Sequence, residues 1–237
     1  KRPGLAFADV NFSCNAGNPT LSFAPVLRRN HSQSRCGTFK KTLEQYKNIL
    51  ENIGKYVTLN EEETEKLIGI IRTTKIKKRQ FIDQPNYVCQ YRNYVVKGSF
   101  RSYFIDNEGK EHTVQIAIED WFVSDFYSYI TQTPATLFVE ALEDSTIFQM
   151  TYDDIEGLCK EIHGLSEYFR ITTERAFAFS RKRALSNLSM TAEERYLEIL
   201  ERYPNIVKRV PQKVIASYLG FTPEFLSKIR KNLTSKT

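Results

Sequence analysis

QKVIASYLGFTPEFLSKIRK, running from Gln212 to Lys231, is the stretch from which the rest of the chain is best understood. It predicts a helix, a sharp turn at Gly220 and a second helix opened by Thr222 and Pro223. Ile215, Leu219, Phe221, Leu226 and Ile229 fall where two short crossing helices bury one shared seam, and Ala216 supplies a small side chain where they come closest. Gly220 can take the left-handed conformation that ends the first helix. Thr222 is a natural N-cap, and Pro223 suits the first helical position because the N–H it lacks would have no partner there. The spacing is that of a helix-turn-helix of the DNA-binding kind. The surrounding charge agrees. Lys208 to Thr237 holds seven Lys or Arg and one acid, Glu224, so its surplus of +6 equals the formal net charge of the whole chain. A basic block of this kind suits a phosphate backbone.

Upstream the periodicity changes. TLEQYKNILENIGKYV places Leu43, Tyr46, Ile49, Leu50 and Ile53 on one helical face. A second short helix follows, with Leu59, Leu67, Ile70 and Ile71 inward and Glu61 to Glu63 near its start, where the helix dipole favours acids. From Thr74 to Thr151 the chain breaks into short strands: Lys75–Ile82, Tyr91–Val96, Ser99–Ile105, His112–Ile118, Ala135–Leu142 and Ser145–Met150. Asp106-Asn107-Glu108-Gly109 predicts a hairpin turn. Many short antiparallel strands imply a small barrel or jelly roll. A long helical stretch then runs from Tyr152 to Leu188. In it Leu165, Phe169, Thr172, Ala176 and Phe179 recur at spacings of four and three, an approximate heptad seam that suits either a helix lying on its own barrel or a dimer helix. A further helix, Ala192 to Tyr203, leads through Pro204 into the basic block. The fold class expected is α+β, with a β-roll (jelly roll), flanking helices, a long helix and a C-terminal helix-turn-helix.

Composition narrows the function. The chain has 237 residues, is 41% hydrophobic and 13% aromatic, and so can bury real cores. No apolar run approaches the ~20 residues of a membrane helix, so no membrane partner is expected. The four cysteines, Cys14, Cys36, Cys89 and Cys159, form no CxxC pair and are expected to be reduced thiols. The histidines, His31, His112 and His163, fall in separate elements. No HxH, HExxH, Gly-rich phosphate loop or nucleophile elbow is present, so neither a metal nor another cofactor is expected, and no catalytic residue. Residues 1–38 are rich in Ser, Asn, Pro and Gly, contain a single acid, and show no period. They are expected to be disordered or a misassigned start, and their composition also resembles an organellar transit peptide.

The order of parts resembles the Crp/Fnr transcription regulators, relatives of the cyclic-AMP receptor protein. The resemblance covers about Phe39 to Leu233. It is carried by YVVKGSFRSYFIDNEGKEHTV (Tyr94 to Val114), WFVSDFYSY (Trp121 to Tyr129) and the helix-turn-helix, and the run from Ala192 to Leu233 looks especially like Bacteroidetes members. It implies a cyclic-nucleotide-binding-like sensor over residues 39–163, a dimerisation helix over 164–189 and a winged helix-turn-helix over 190–237. It implies as well a cytoplasmic bacterial homodimer on a palindromic double-stranded DNA site, an unknown small-molecule effector, and RNA polymerase as a further partner. On this resemblance the dimer helix uses Leu165, Phe169, Thr172, Ala176 and Phe179.

The sensor departs from that family pattern. Cyclic-nucleotide-binding members carry a glycine and a glutamate, then an arginine followed by a small hydroxyl residue. Counted from Phe122, those positions hold Ser124, Asp125, Ala135 and Thr136, and Asp120 to Glu140 contains no basic residue. An anionic cyclic phosphate without a compensating guanidinium binds poorly, so cyclic AMP is not the expected ligand. The aromatic residues Trp121, Phe122, Phe126, Tyr127, Tyr129 and Phe138 suit either plain core or an apolar or ring-shaped molecule. In the helix-turn-helix the resemblance assigns base reading to Pro223, Glu224 and Lys228 at a helix starting at Thr222. Gln212, Lys213, Arg230 and Lys231 are cast as phosphate contacts. The alternative is a ligand-binding or protein-interaction module whose helix-turn-helix does not read DNA.

Overall fold

The computed structural model describes residues 43–235. The expected disordered segment 1–38, with Cys14, His31 and Cys36, lies outside the described residues. Helix α1 (Lys47–Gly54) is followed by α2 (Glu61–Ile70), whose start is closed by a capping box between Asn60 and Glu63. Eight strands follow: β1 (Arg72–Ile76), β2 (Phe81–Asp83), β3 (Tyr91–Lys97), β4 (Phe100–Ile105), β5 (Glu111–Ala117), β6 (Phe122–Val123), β7 (Phe138–Ala141) and β8 (Ser145–Thr151). A short helix, α3 (Phe126–Thr131), interrupts them between β6 and β7. The strands form two antiparallel four-stranded sheets in the orders β1-β8-β3-β6 and β2-β7-β4-β5. Val95, Phe100, Ala117, Val123, Val139 and Ile147 are fully buried together, and fill the roll where inward-facing residues of small double-sheet folds belong.

Outside the first sheet, Tyr94, Phe148 and Met150 meet Ile49, Ile53 and Leu67 of α1 and α2. Two further helices close this layer: α4 (Tyr152–Glu161), through Ile155 and Leu158, and α5 (His163–Ser189), through Leu165 and Tyr168. The C-terminal unit is α6 (Ala192–Arg202), α7 (Pro204–Arg209), α8 (Gln212–Leu219) and α9 (Pro223–Ser235). No strand lies in this unit among the described residues, so the wing of the expected winged helix-turn-helix is not among them.

Three elements differ from the sequence reading. The expected strand Lys75–Ile82 is two strands in different sheets, β1 and β2. The chain crosses between them on local bonds: Gln80 accepts from the Lys77 N–H at 2.6 Å, Asp144 accepts from the Lys78 N–H at 2.9 Å, and Arg79 sits at φ 70°. No Gly or Pro marks that crossing. Second, the stretch from Tyr152 to Leu188 is broken at Ile162, which is extended and buried between α4 and α5. Third, α3 and β6 lie in a segment that carries no distinct period.

Candidate nucleic-acid interface and sensor cassette

The helix-turn-helix is built as its residues dictate. Gly220 ends α8 at φ 77°, and the Phe221 N–H donates to the Ala216 carbonyl at 2.8 Å, closing the turn. Nothing lies within 4 Å of a Cβ built on Gly220, so conformation rather than space demands glycine there. The Thr222 hydroxyl accepts from the Phe225 N–H at 3.2 Å, the expected N-cap. Val214, Ile215, Ala216 and Leu219 of α8 pack with Leu226 and Ile229 of α9. At about 100° per residue, Pro223, Glu224, Ser227, Lys228 and Lys231 share one face of α9, opposite Leu226 and Ile229, and all five are exposed. Gln212 and Lys213 are exposed at the start of α8, and Arg230 at the side of α9. Ser227 completes the outward face. The sequence reading missed it because a serine carries no charge signal.

This unit is docked on its own β-roll. The Ser217 hydroxyl accepts from the Thr113 N–H and donates to the Glu111 carbonyl, each at 2.9 Å, which pins α8 to β5. Arg183 of α5 donates to the carbonyls of Val114 and Thr113 on β5 and of Tyr218 at the end of α8. Arg209 bridges to Glu119 at 2.8 Å and to Glu143 at 2.6 Å. Trp121, the single tryptophan, stands edge-on to Tyr203 at 5.3 Å in this seam.

That geometry makes docking pH-dependent. Burial alone would raise the Glu119 carboxyl, but its bonds to Arg209 and the Gly98 N–H hold it below the ordinary range. A depressed carboxyl stabilises the docked state above its unfolded pKa, and the contribution is lost as pH falls through the folded value. The bridge should therefore fail only once pH falls below the ordinary glutamate range. Trp121 fluorescence is expected to shift there, and to be shifted already at neutral pH in Arg209→Gln. A spectrum that Arg209→Gln leaves unchanged at every pH would rule this contact out as a determinant of docking.

The sensor cassette positions are brought together, and their polar groups are bonded to protein atoms. Asp125 caps α3 and is 2% exposed. Its carboxylate accepts from the N–H groups of Ser128 at 3.1 Å, Thr136 at 2.8 Å and Leu137 at 3.0 Å, and from the Thr136 hydroxyl at 3.4 Å. A carboxylate thus fills the nest of backbone donors at this position. Asp83 lies alongside and accepts the Asp125 N–H at 3.1 Å; burial first, and then the nearby Asp125 charge, raise its carboxyl above the ordinary range. Ala135 is buried, with its backbone N–H bonded to the Tyr87 carbonyl at 2.8 Å. Ser124 is consumed in a buried chain: it accepts from Asn93 Nδ2 at 3.1 Å, Asn93 Oδ1 accepts from Gln149 at 3.0 Å, and Gln149 accepts from Thr74 at 2.7 Å.

Arg92 of β3 is the basic residue that the sequence reading missed, because it lies far upstream of the cassette. Its guanidinium stacks on Phe122, Phe126 and Phe169 at 5.2, 5.2 and 4.7 Å, with Nε buried and unpartnered. Burial lowers its pKa. The aromatic residues do not form one ring-shaped site: Tyr129 is buried, Trp121 faces the C-terminal unit and Tyr127 is 68% exposed.

Three of the five heptad-seam residues on α5, Leu165, Phe169 and Phe179, pack on other elements of their own chain. Leu165 is buried in the helical layer, Phe169 packs there half-buried, Thr172 returns its hydroxyl to the Tyr168 carbonyl at 2.9 Å, and Phe179 meets Tyr203 at 6.3 Å. Ala176 alone of the five is exposed. The opposite face carries Phe177, Ala184, Leu185 and Leu188, all exposed.

No protein-family model and no curated protein matches the sequence. Solved structures do. The regulator CLP of Xanthomonas campestris, described as c-di-GMP-responsive, is 13% identical; the match covers 75% of this chain and 93% of CLP, with a TM-score of 0.61. FixK2 from Bradyrhizobium japonicum is 18% identical over 70% of this chain and 86% of its own, with a TM-score of 0.60. A Crp/Fnr-family transcriptional regulator from Eubacterium rectale is 18% identical over 75% and 85%, with a TM-score of 0.59. The fold is that of the Crp/Fnr transcription regulators, as the order of parts implied.

Proposed function

We propose that this protein is a sequence-specific, DNA-binding transcription regulator of Crp/Fnr type without catalytic activity. Residues 39–163 serve as a sensor, 164–189 as the dimer helix and 190–237 as the DNA-reading unit. The observation that carries the reading is α9: one face buried through Leu226 and Ile229, the other presenting Pro223, Glu224, Ser227, Lys228 and Lys231 outward from a capped helix start. Such a face fits the major groove, with Glu224 accepting from a cytosine amino group and Lys228 donating to guanine. Gln212, Lys213, Arg230 and Lys231 hold phosphates and position the helix. Two protomers place their reading helices about 34 Å apart on a palindromic site. RNA polymerase is the partner that such a complex would recruit or block.

Selection of bound sequences from random DNA tests the reading. Lys228→Ala and Glu224→Ala should each cost about 1–3 kcal/mol at the preferred site and change the base preferred there. Lys213→Ala should weaken all sequences alike and flatten the salt dependence. An unchanged preference in Lys228→Ala would put the wrong face of α9 in the groove, and no binding at low salt would favour the protein-interaction alternative.

The sensor is proposed not to answer to cyclic AMP. The support is the Asp125 carboxylate on the Ser128, Thr136 and Leu137 amides, together with Ala135 in place of an arginine.

A further inference from the structure

Helices α5, α6 and α8 line a cleft that is open to solvent on one side. We propose that this cleft binds a small organic anion, a carboxylate or phosphate carried on an apolar or aromatic body. Its lining holds four cations, Lys182, Arg183, Arg195 and Arg202, and one carboxylate, Glu198. Glu198 is shared between Lys182 at 2.9 Å and Arg202 at 3.4 Å.

Among the described residues, no carboxylate is bonded to either of the two remaining guanidinium groups, Arg183 and Arg195. Arg183 spends its donors on backbone carbonyls, and burial lowers its pKa. Arg195 donates from one terminal nitrogen to the Leu219 carbonyl at 2.9 Å and to Asn187 Oδ1 at 3.0 Å, while its Nε is buried with no acceptor. The Tyr218 and Leu219 carbonyls end α8, and such a helix end offers roughly half a negative charge against two full positive ones. Both guanidinium groups are half-buried and lie over rings, Arg183 on Tyr218 at 3.9 Å and Arg195 on Phe221 at 4.6 Å, so an anion would add the full counter-charge that carbonyls and rings do not supply. Phe179, Ile199 and Tyr203 give it an apolar wall, which suits an organic body better than a bare ion.

The position gives binding a consequence. Arg183 and Arg195 hold the end of α8 from α5 and α6, so an occupant that draws on them shifts the support of the helix-turn-helix. That coupling rests on the DNA-reading role proposed above; the binding itself does not.

The test uses the full chain, labelled with nitrogen-15, and follows the arginine Nε–H resonances during titration with benzoate, inorganic phosphate and neutral benzamide. Benzoate should bind and shift Arg195, phosphate should bind more weakly, and benzamide should do neither. Arg195→Lys keeps the charge but removes the planar guanidinium fork, and should weaken benzoate roughly tenfold. Lys182→Gln, at the solvent-facing rim, should weaken it several-fold without unfolding the unit. The site is overturned if millimolar benzoate and phosphate leave the arginine resonances unmoved, or if benzamide binds as well as benzoate. Benzoate that binds without changing affinity for a selected DNA site overturns the coupling alone. A protein that binds no DNA refutes the regulator reading, while the arginine resonances still decide the site.

Discussion

Asp125→Ala is expected to destabilise the folded protein by on the order of 3–5 kcal/mol, the largest single-residue effect on stability anticipated. The carboxylate accepts from three backbone N–H groups in a site that is 2% exposed. Removing it leaves those donors buried without an acceptor, at about 1–3 kcal/mol for each group left unsatisfied. Relief of the neighbouring Asp83, whose carboxyl burial and the Asp125 charge raise together, offsets part of the loss. Asp125→Asn should lose less, because one oxygen still accepts, although its amide nitrogen then faces a donor. Urea unfolding monitored by circular dichroism measures the difference. A loss under about 1 kcal/mol in Asp125→Ala would mean that water or a neighbouring group satisfies the amides, and the carboxylate would no longer explain a closed cassette. The same variant carries the ligand test. Wild-type protein should show no calorimetric response to micromolar cyclic AMP, whereas vacated amides should let added phosphate raise the unfolding midpoint of Asp125→Ala more than that of wild type.

Leu185→Asp should convert the protein to monomers and weaken binding to a palindromic site by about two orders of magnitude or more, because a dimer gains from engaging both half-sites at once. The motivation is the outer face of α5. Phe177 and Leu185 are each 64% exposed and Leu188 is 87% exposed, along a helix of 27 residues that spans roughly 40 Å. A second copy of the same helix is the occupant that the two-fold symmetry of a palindromic site requires. Phe179→Asp is the informative control. Phe179 faces Tyr203 within its own chain, so a charge there should disturb the C-terminal unit and leave the dimer intact. Sedimentation at micromolar concentration reads both. A wild-type monomer ends the dimer proposal. A dimer that survives Leu185→Asp but dissociates in Phe179→Asp would return the interface to the seam first picked out by heptad spacing.

Much of this fold could be read locally. Gly220, Thr222, Pro223 and the apolar residues around them act through backbone conformation and capping, which depend on near neighbours, and the turn formed as read. Val114, Ile116 and Ile118 alternate in the sequence and so read as a strand; β5 forms there, although the residues it buries are Thr113, Ile116 and Ala117. The limits appear where a contact links distant positions. Nothing in KIKKRQ announces that the chain changes sheets between Ile76 and Phe81, because Asp144, which holds that crossing, is more than sixty residues away.

The seam on α5 shows the same limit. Periodicity identifies an apolar face without saying whether the chain's own β-roll or another molecule covers it, and tertiary packing set Phe169 against Phe122 and Phe179 against Tyr203. The sequence by itself determined the helix-turn-helix, the β-roll and the absence of an arginine at Ala135. Only the tertiary structure decided that Asp125 turns its carboxylate onto the amides of Thr136 and Leu137, and that Arg183 and Arg195 meet in one cleft with no carboxylate bonded to either among the described residues. The physical reason is that capping and periodicity act over a few residues, whereas burial and charge compensation depend on which distant segments the fold brings together.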